Sequence, residues 1–257
     1  MKKSIFIFLI IQNIFKIYAY DFEVHGIYYN ITDSVNNTVE VTRENSESVY
    51  NADSLTIPDK IVVCGKTYKV KSIGKLAFDN CKKLRSVILP DSITNIGNSS
   101  FAGCTNLTSI DLPNSITSID IFAFALCESL KTIVLPNAID SVADAIFAGC
   151  SNLQTVIIPD KVRCIGQKAF FLCSDLESVT IPANVANLNG CATFNNCTNL
   201  KYLILKNPKP IIVHPSFTED IDINKCTLVV PIGTKVFYQM DDNWKQFKNI
   251  IEQSIFM

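Results

Sequence analysis

Prolines Pro90, Pro113, Pro136, Pro159 and Pro182 fall 23 residues apart, and that interval constrains the chain more than any other feature. Phe101, Phe124, Phe147 and Phe170 keep the same step, with Phe78 ahead of them and Phe194 one residue late. Cys81, Cys104, Cys127, Cys150, Cys173 and Cys197 each stand three positions after a Phe. Leu84, Leu107, Leu130, Leu153, Leu176 and Leu200 stand six positions after. A fixed period in the twenties marks a solenoid, in which each repeat buries its apolar face against its neighbours. With 48% hydrophobic and 18% charged residues, the chain has material for one continuous core and is not a disordered polymer.

The unit from Leu107 to Leu130 shows how one repeat closes. Leu107, Ile110 and Leu112 alternate as the inward side chains of a strand, and Pro113 ends it because it has no ladder donor. Ile116 and Ile119 form a second inward pair on the returning side. Ala123–Phe124 and Cys127 follow at near-helical spacing, which predicts a short helical turn that plugs the coil with an aromatic ring. Gly74, Gly97 and Gly166 occupy the corner before that turn, where positive φ is expected; Asp120, Ala143 and Asn189 take the place in other repeats. The one-residue insertion within Asn187–Cys191 predicts a local bulge.

The ends are of different character. Lys2 and Lys3, the apolar run Ile5 to Ile11, and Ala19 read as a targeting leader over residues 1–19, either cleaved or kept as an anchor. Gln12, Asn13 and Lys16 interrupt it well short of the ~20 apolar residues of a membrane span, and no later run approaches one. Cleavage removes three lysines and no acids, which moves the net charge from −1 to −4. Neither value supplies a basic field for nucleic acid or an anionic membrane. Residues 20–54 read as an N-terminal β cap, with a tight turn at Val24–His25–Gly26–Ile27 and a strand at Val39–Glu40–Val41–Thr42. The repeats span 55–206. Pro58 precedes Phe78 by 20 residues where regular repeats have 11, and Val62 to Tyr68 in the excess looks like a further hairpin. Residues 207–257 read as a C-terminal capping unit. It has a strand, a Pro-Gly turn, a short helix from Thr234 to Met240, and Trp244 and Phe247 sealing the last coil.

Pro159, Ile165, Gly166, Ala169, Phe170, Cys173, Leu176, Val179 and Ile181 together resemble the repeat of the BspA-like leucine-rich repeat family of bacterial and protozoan surface antigens. The resemblance covers roughly Leu55 to Leu205. The stretch Cys226 to Thr234, with Tyr238, Trp244, Phe247 and Ile250, resembles the closing unit of Bacteroidales members. The fold expected is an α/β leucine-rich repeat solenoid. It is β-rich, with one short strand and one short helical turn per 23-residue repeat, and is capped at both ends. The resemblance implies an exported protein (cell-surface, periplasmic or secreted) used in adhesion and host or partner binding, and it implies no particular ligand.

Ten cysteines in an exported chain ordinarily suggest disulfides. Equivalent residues of successive coils, however, lie about 4.8 Å apart and point the same way. That puts the Cβ atoms near or beyond the roughly 3.5–4.5 Å a disulfide requires. The expectation is a reduced, buried column, cysteine packing as a small hydrophobe. Cys64, Cys164, Cys191 and Cys226 lie off that column, and their pairing stays open.

Catalytic chemistry is not expected. The two histidines, His25 and His214, stand at opposite ends of the repeat array, too far apart to share a metal or a triad. No nucleophile elbow, phosphate loop or zinc-binding helix motif occurs, and no cofactor is implied. Asp220–Ile221–Asp222–Ile223–Asn224 begins like a calcium loop but has Lys225 and Pro231 where Gly and Glu belong, so it reads as a solvated acidic loop. Acceptor sequons at Asn30, Asn36, Asn98, Asn106 and Asn196 have meaning only in a eukaryotic secretory pathway.

The candidate site is therefore the outer face of the sheet. Its outward column runs Ile88, Asp111, Val134, Ile157, Thr180 and Ile204, and beside it runs Ser86, Ser109, Thr132, Thr155, Ser178 and Tyr202. An aliphatic stripe flanked by hydroxyls suits contact with a protein or a glycan. Stacking of β-branched residues on neighbouring rungs accounts for the same column without any partner, and Asp111 interrupts it. Two functions stay open: a surface binding module using this face, or a structural envelope or assembly element without a specific ligand.

Overall fold

In the computed structural model, which describes residues 20–45, 49–188, 190–214, 217 and 221–254, the repeats wind into a β-solenoid of about seven turns. One wall is built from strands β4 (Ser54–Thr56), β7 (Ser86–Ile88), β9 (Ser109–Ile110), β11 (Thr132–Val134), β13 (Thr155–Ile157), β15 (Ser178–Ile181), β17 (Tyr202–Leu205), β19 (Thr227–Pro231) and β20 (Asn249–Gln253). Every pairing in this wall is parallel, as in Thr132↔Thr155 and Thr180↔Ile204. The wall is divided into three sheets. Its first interruption follows β9, which stops at Ile110: Asp111, a poor strand former, stands where neighbouring rungs have Ile or Val.

A second wall answers the first. The paired isoleucines of the returning side form β8 (Asn95–Ile96), β10 (Ser118–Ile119), β12 (Ser141–Val142), β14 (Cys164–Ile165), β16 (Asn187–Leu188) and β18 (Ile212–Val213), again in parallel register. Each coil thus carries two strands where the sequence suggested one.

The third side corrects the expectation of a helical turn and of an α/β fold. Around Phe101, the N–H groups of Ser99, Phe101 and Gly103 donate to the carbonyls of Ile121, Ala123 and Ala125 in the next coil, at 2.8–3.1 Å. Those of Ser100, Ala102 and Cys104 donate three residues back, at 3.2 Å. Alternate donors close turns and cross between coils, so no helix can propagate. The geometry is sustained by two left-handed residues per coil, one on each side of the core Phe: Leu76 and Asn80, Ser99 and Gly103, Phe122 and Leu126, Ala145 and Gly149. Among the described residues the only α-helix is α1 (Lys235–Met240), followed by a 3-10 turn at Trp244–Gln246.

The corner glycines are also corrected. Gly97 does not have positive φ; it lies so close to the preceding coil that a Cβ would stand 2.8 Å from the Lys75 nitrogen and 2.9 Å from the Ile73 carbonyl oxygen. Glycine is used there for close backbone approach. The insertion near Asn187–Cys191 includes Asn189, which lies outside the described residues. Phe194 nonetheless stays in file, its ring 5.4 Å from that of Phe170 and 4° from parallel.

That file is the axis of the core. Phe78, Phe101, Phe124, Phe147, Phe170 and Phe194 are buried and stack with centroids 5.1–5.9 Å apart. Beside them, each column thiol from Cys104 to Cys197 donates to the carbonyl of the Phe one coil earlier, at 3.1–3.2 Å. Cysteine therefore both fills space and satisfies a buried acceptor. All ten cysteines are free, the six of the column as expected from side chains that stand parallel on successive coils.

At one end, β1 (Phe22–Val24), β2 (Ile27–Asp33) and β3 (Thr38–Thr42) form an antiparallel meander. Its last strand joins the solenoid through β6 (Lys66–Ile73), which also forms a hairpin with β5 (Lys60–Val63). Both short hairpins turn through two residues of positive φ, His25–Gly26 and Cys64–Gly65, the conformation that suits the twist of the strands. At the other end Trp244 is buried against Phe217, ring centroids 5.2 Å apart, and its indole N–H donates to the Ile211 carbonyl. Among the described residues the core cluster runs from Phe22 to Ile250.

Candidate interaction face

Alternation along the first wall fixes where each candidate side chain stands. Val87, Ile133 and Val156 point inward and are buried, so their neighbours Ile88, Val134 and Ile157 point outward, with 63%, 57% and 54% of their surface exposed. Asp111 is exposed outside any strand; Thr180 and Ile204 continue the column half-buried. In the parallel column Ser109, Thr132, Thr155 and Tyr202 are exposed, while Ser86 and Ser178 are half-covered. Register places Val134 directly beside Ile157, Thr180 beside Ile204, and Ser178 beside Tyr202. The stripe also extends beyond the six repeats that define it: Thr56 pairs with Ile88, and Val229 pairs with Ile204 on one side and Ile251 on the other. Val229 is buried and Ile251 is 40% exposed, so the most open part of the stripe, Ile88 to Ile157, lies toward the N-terminal end.

This wall can offer apolar contact area and a regular row of hydroxyls; it holds no converging acid, base and nucleophile. Among the described residues no group of three or more His, Cys, Asp or Glu side chains is placed to hold a metal ion. His25 lies in the first hairpin turn and His214 follows β18. Of the calcium-like segment, Asp220 lies outside the described residues. The Asp222 carboxylate accepts the Asn224 N–H at 3.1 Å and pairs with Lys225 at 3.0 Å, which makes it part of a closed turn.

A second exposed apolar set escapes a reading of the sequence. Phe122, Leu126 and Leu172 stand on the turn side, exposed and in the left-handed conformation, which costs a non-glycine residue roughly 1–2 kcal/mol. Leu126 lies across Gly149 of the next coil, where an added Cβ would be 2.6 Å from the Leu126 Cδ2. Nothing in a linear sequence marks a leucine for positive φ, so only the coil-to-coil geometry reveals this row.

The repeat geometry has counterparts of known type. The model of the BspA type leucine rich repeat region matches in six copies, over residues 71–201 and 121–243. The chain belongs to this family. A leucine rich cell surface protein of Faecalibacterium prausnitzii shares 28% identity with this leucine-rich repeat protein, at a TM-score of 0.59. The match covers 72% of the chain and 54% of the Faecalibacterium protein, so the chain spans only about half of that relative. The leucine rich repeat protein of T. pallidum is 27% identical at a TM-score of 0.62, over 88% of this chain and 93% of its own. A leucine-rich repeat protein of Bacteroides ovatus is 26% identical at 0.52, over 92% and 72%. Among curated proteins none matches. No helix among the described residues is long and apolar enough to cross a membrane.

Within this leucine-rich repeat protein, accessibility sorts the thiols sharply. Cys64 and Cys164 are exposed, whereas the column is buried and desolvation pushes up its thiols from Cys81 to Cys173, that of Cys150 to about 12. Thiolate is the reactive form. An aromatic disulfide reagent at pH 8 is therefore expected to modify Cys64 and Cys164 promptly, and Cys81 to Cys197 only after denaturant is added. Mass spectrometry of the labelled peptides checks this; early labelling at Cys127 or Cys150 would contradict the assigned core.

Proposed function

We propose that this leucine-rich repeat protein is exported and acts at the cell surface, where it binds a protein or glycan partner through the wall carrying Ile88, Val134 and Ile157. The single observation behind the reading is that three large aliphatic side chains, each more than half exposed, stand in one column beside a column of hydroxyls. Water is a poor neighbour for such a stripe, and the rows of Ser and Thr supply hydrogen bonds at regular intervals to whatever covers it. The leader-like segment 1–19 is the support for export, and the solved surface protein of Faecalibacterium supports the location. On this reading residues 20–54 and 207–257 cap the array of 55–206, holding the wall rigid while contributing little to recognition.

Replacing Ile88, Val134 and Ile157 together with Lys tests the face. All three point to solvent, so the melting temperature is expected to change little. Binding to cells of the natural environment and to an array of immobilised glycans is expected to fall at least tenfold. Unchanged binding with an intact fold removes this wall from consideration.

A further inference from the structure

The first coil differs from the regular coils in the path between its proline and its core Phe, and the difference is the β5–β6 hairpin. Its inner face, Ile61, Tyr68 and Val70, is buried in the core. The outer face presents Lys60, Val62, Thr67 and Lys69, all exposed, and Lys66 stands at the turn. Lys60 lies directly opposite Lys69 in the antiparallel pair, an arrangement of like charges that weakens a sheet. Neither these two nor Lys66 is ion-paired to a described residue; the Lys66 ammonium lies 5.0 Å from the Tyr68 ring centre.

The overall charge of −1 conceals this concentration. Residues 60–85 hold eight basic side chains and one acid, Asp79, which itself lies 3.7 Å from Arg43. Residues 20–59 hold eight acids and one base. A lysine on an edge strand guards against unwanted pairing, which accounts for Lys60 on β5. It does not account for Lys69, which lies on β6 between β5 and β3. Lysines alone suit any polyanion. Here Val62, 62% exposed, sits among them close to the hairpin tip. Charge around a projecting apolar side chain fits a surface with anionic groups above and hydrocarbon beneath.

We propose that the β5–β6 hairpin docks the N-terminal end of the solenoid on a membrane surface bearing anionic phospholipid. Lys60 and Lys69, on the outer face with Val62, contact the phosphate layer, and Val62 enters the interface. The hairpin belongs to the seven-stranded sheet of the second wall, so docking leaves the wall of Ile88, Val134 and Ile157 free.

Co-sedimentation of residues 20–257, which contain every core residue among those described, with vesicles of phosphatidylcholine alone or mixed with phosphatidylglycerol tests this. The chain is expected to sediment with the anionic vesicles, less so as salt rises, and not with the neutral ones. Each lysine near such a surface contributes about fivefold, so the Lys60→Gln/Lys69→Gln pair is expected to bind roughly twenty-five-fold more weakly. Val62→Asp is expected to weaken binding as well, and Lys131→Gln to leave it unchanged. Melting curves of each variant show that the fold is kept; removing the opposed lysines is expected not to lower the midpoint. Equal sedimentation of the double variant and the parent overturns the proposal. So does equal binding to neutral vesicles, or lysine-dependent retention on a sulfated polysaccharide without vesicle binding.

Discussion

Raising the pH from 8 to 11 is expected to unfold this protein cooperatively, with the loss of stability beginning near pH 9 and steepening as the pH climbs. Burial raises six thiols above their ordinary value near 9: Cys81 to about 11, Cys150 and Cys226 to about 12, and Cys104, Cys127 and Cys173 likewise upward. In the unfolded chain the same thiols release their protons near 9, so above that pH the unfolded state binds fewer protons than the folded one. Stability is therefore complete below pH 9 and falls as the pH climbs toward the folded-state values. One such group costs about 1.4 kcal/mol per pH unit, and six together cost about 8. That is comparable with the whole stability of an ordinary domain, about 5–15 kcal/mol. Tyr29, Tyr50 and Tyr238, raised by the same desolvation, add to the slope above pH 10. Urea titrations in reductant at half-unit intervals of pH, followed by circular dichroism, measure it. Stability that stays flat to pH 11 would mean that the thiols are not held protonated in the core.

Phe124→Ala is expected to cost about 3–5 kcal/mol, from lost burial and the cavity left behind. The ring is fully buried and lies between Phe101, at 5.4 Å, and Phe147, at 5.9 Å, so no solvent-facing route exists for the site to relax. Both stacked contacts go at once, each worth about 0.5–1.5 kcal/mol beyond its area. In a solenoid every coil is held only by its two neighbours, so a gap in a central coil also weakens the coupling between the halves. Lys131→Ala, on the exposed face, is expected to stay within about 0.5 kcal/mol. Urea denaturation of both variants decides the matter; similar losses at the two positions would contradict the inward and outward assignment.

The Phe column, the buried thiols and the outward stripe are legible because a solenoid turns sequence period directly into spatial neighbourhood. Residues 23 apart become adjacent rungs, and alternation within a three-residue strand sends Ile133 to the core and its neighbours Thr132 and Val134 to the surface. A helical turn is the wrong reading of the third side because Phe124 and Cys127 are three apart in a turn closed by one hydrogen bond as well as in a helix. Spacing cannot show that every second donor leaves for the next coil. Glycine misleads for a related reason. Gly97 and Gly103 look alike in sequence, yet only Gly103 has positive φ, while Gly97 is small because another backbone lies against it. The hairpin lysines are hidden by a balanced total charge.

By itself the sequence determined the coil period, the inward set of Leu, Ile, Phe and Cys, and the two columns that face solvent, since these follow from repetition and alternation. Only the tertiary structure decided that each coil has two strands and no helix, that Leu126 is held left-handed across Gly149, and that Lys60 opposes Lys69. Those outcomes depend on which backbone groups of neighbouring coils meet, and on where a strand's partner lies. That information resides in the contact between segments and in neither segment alone.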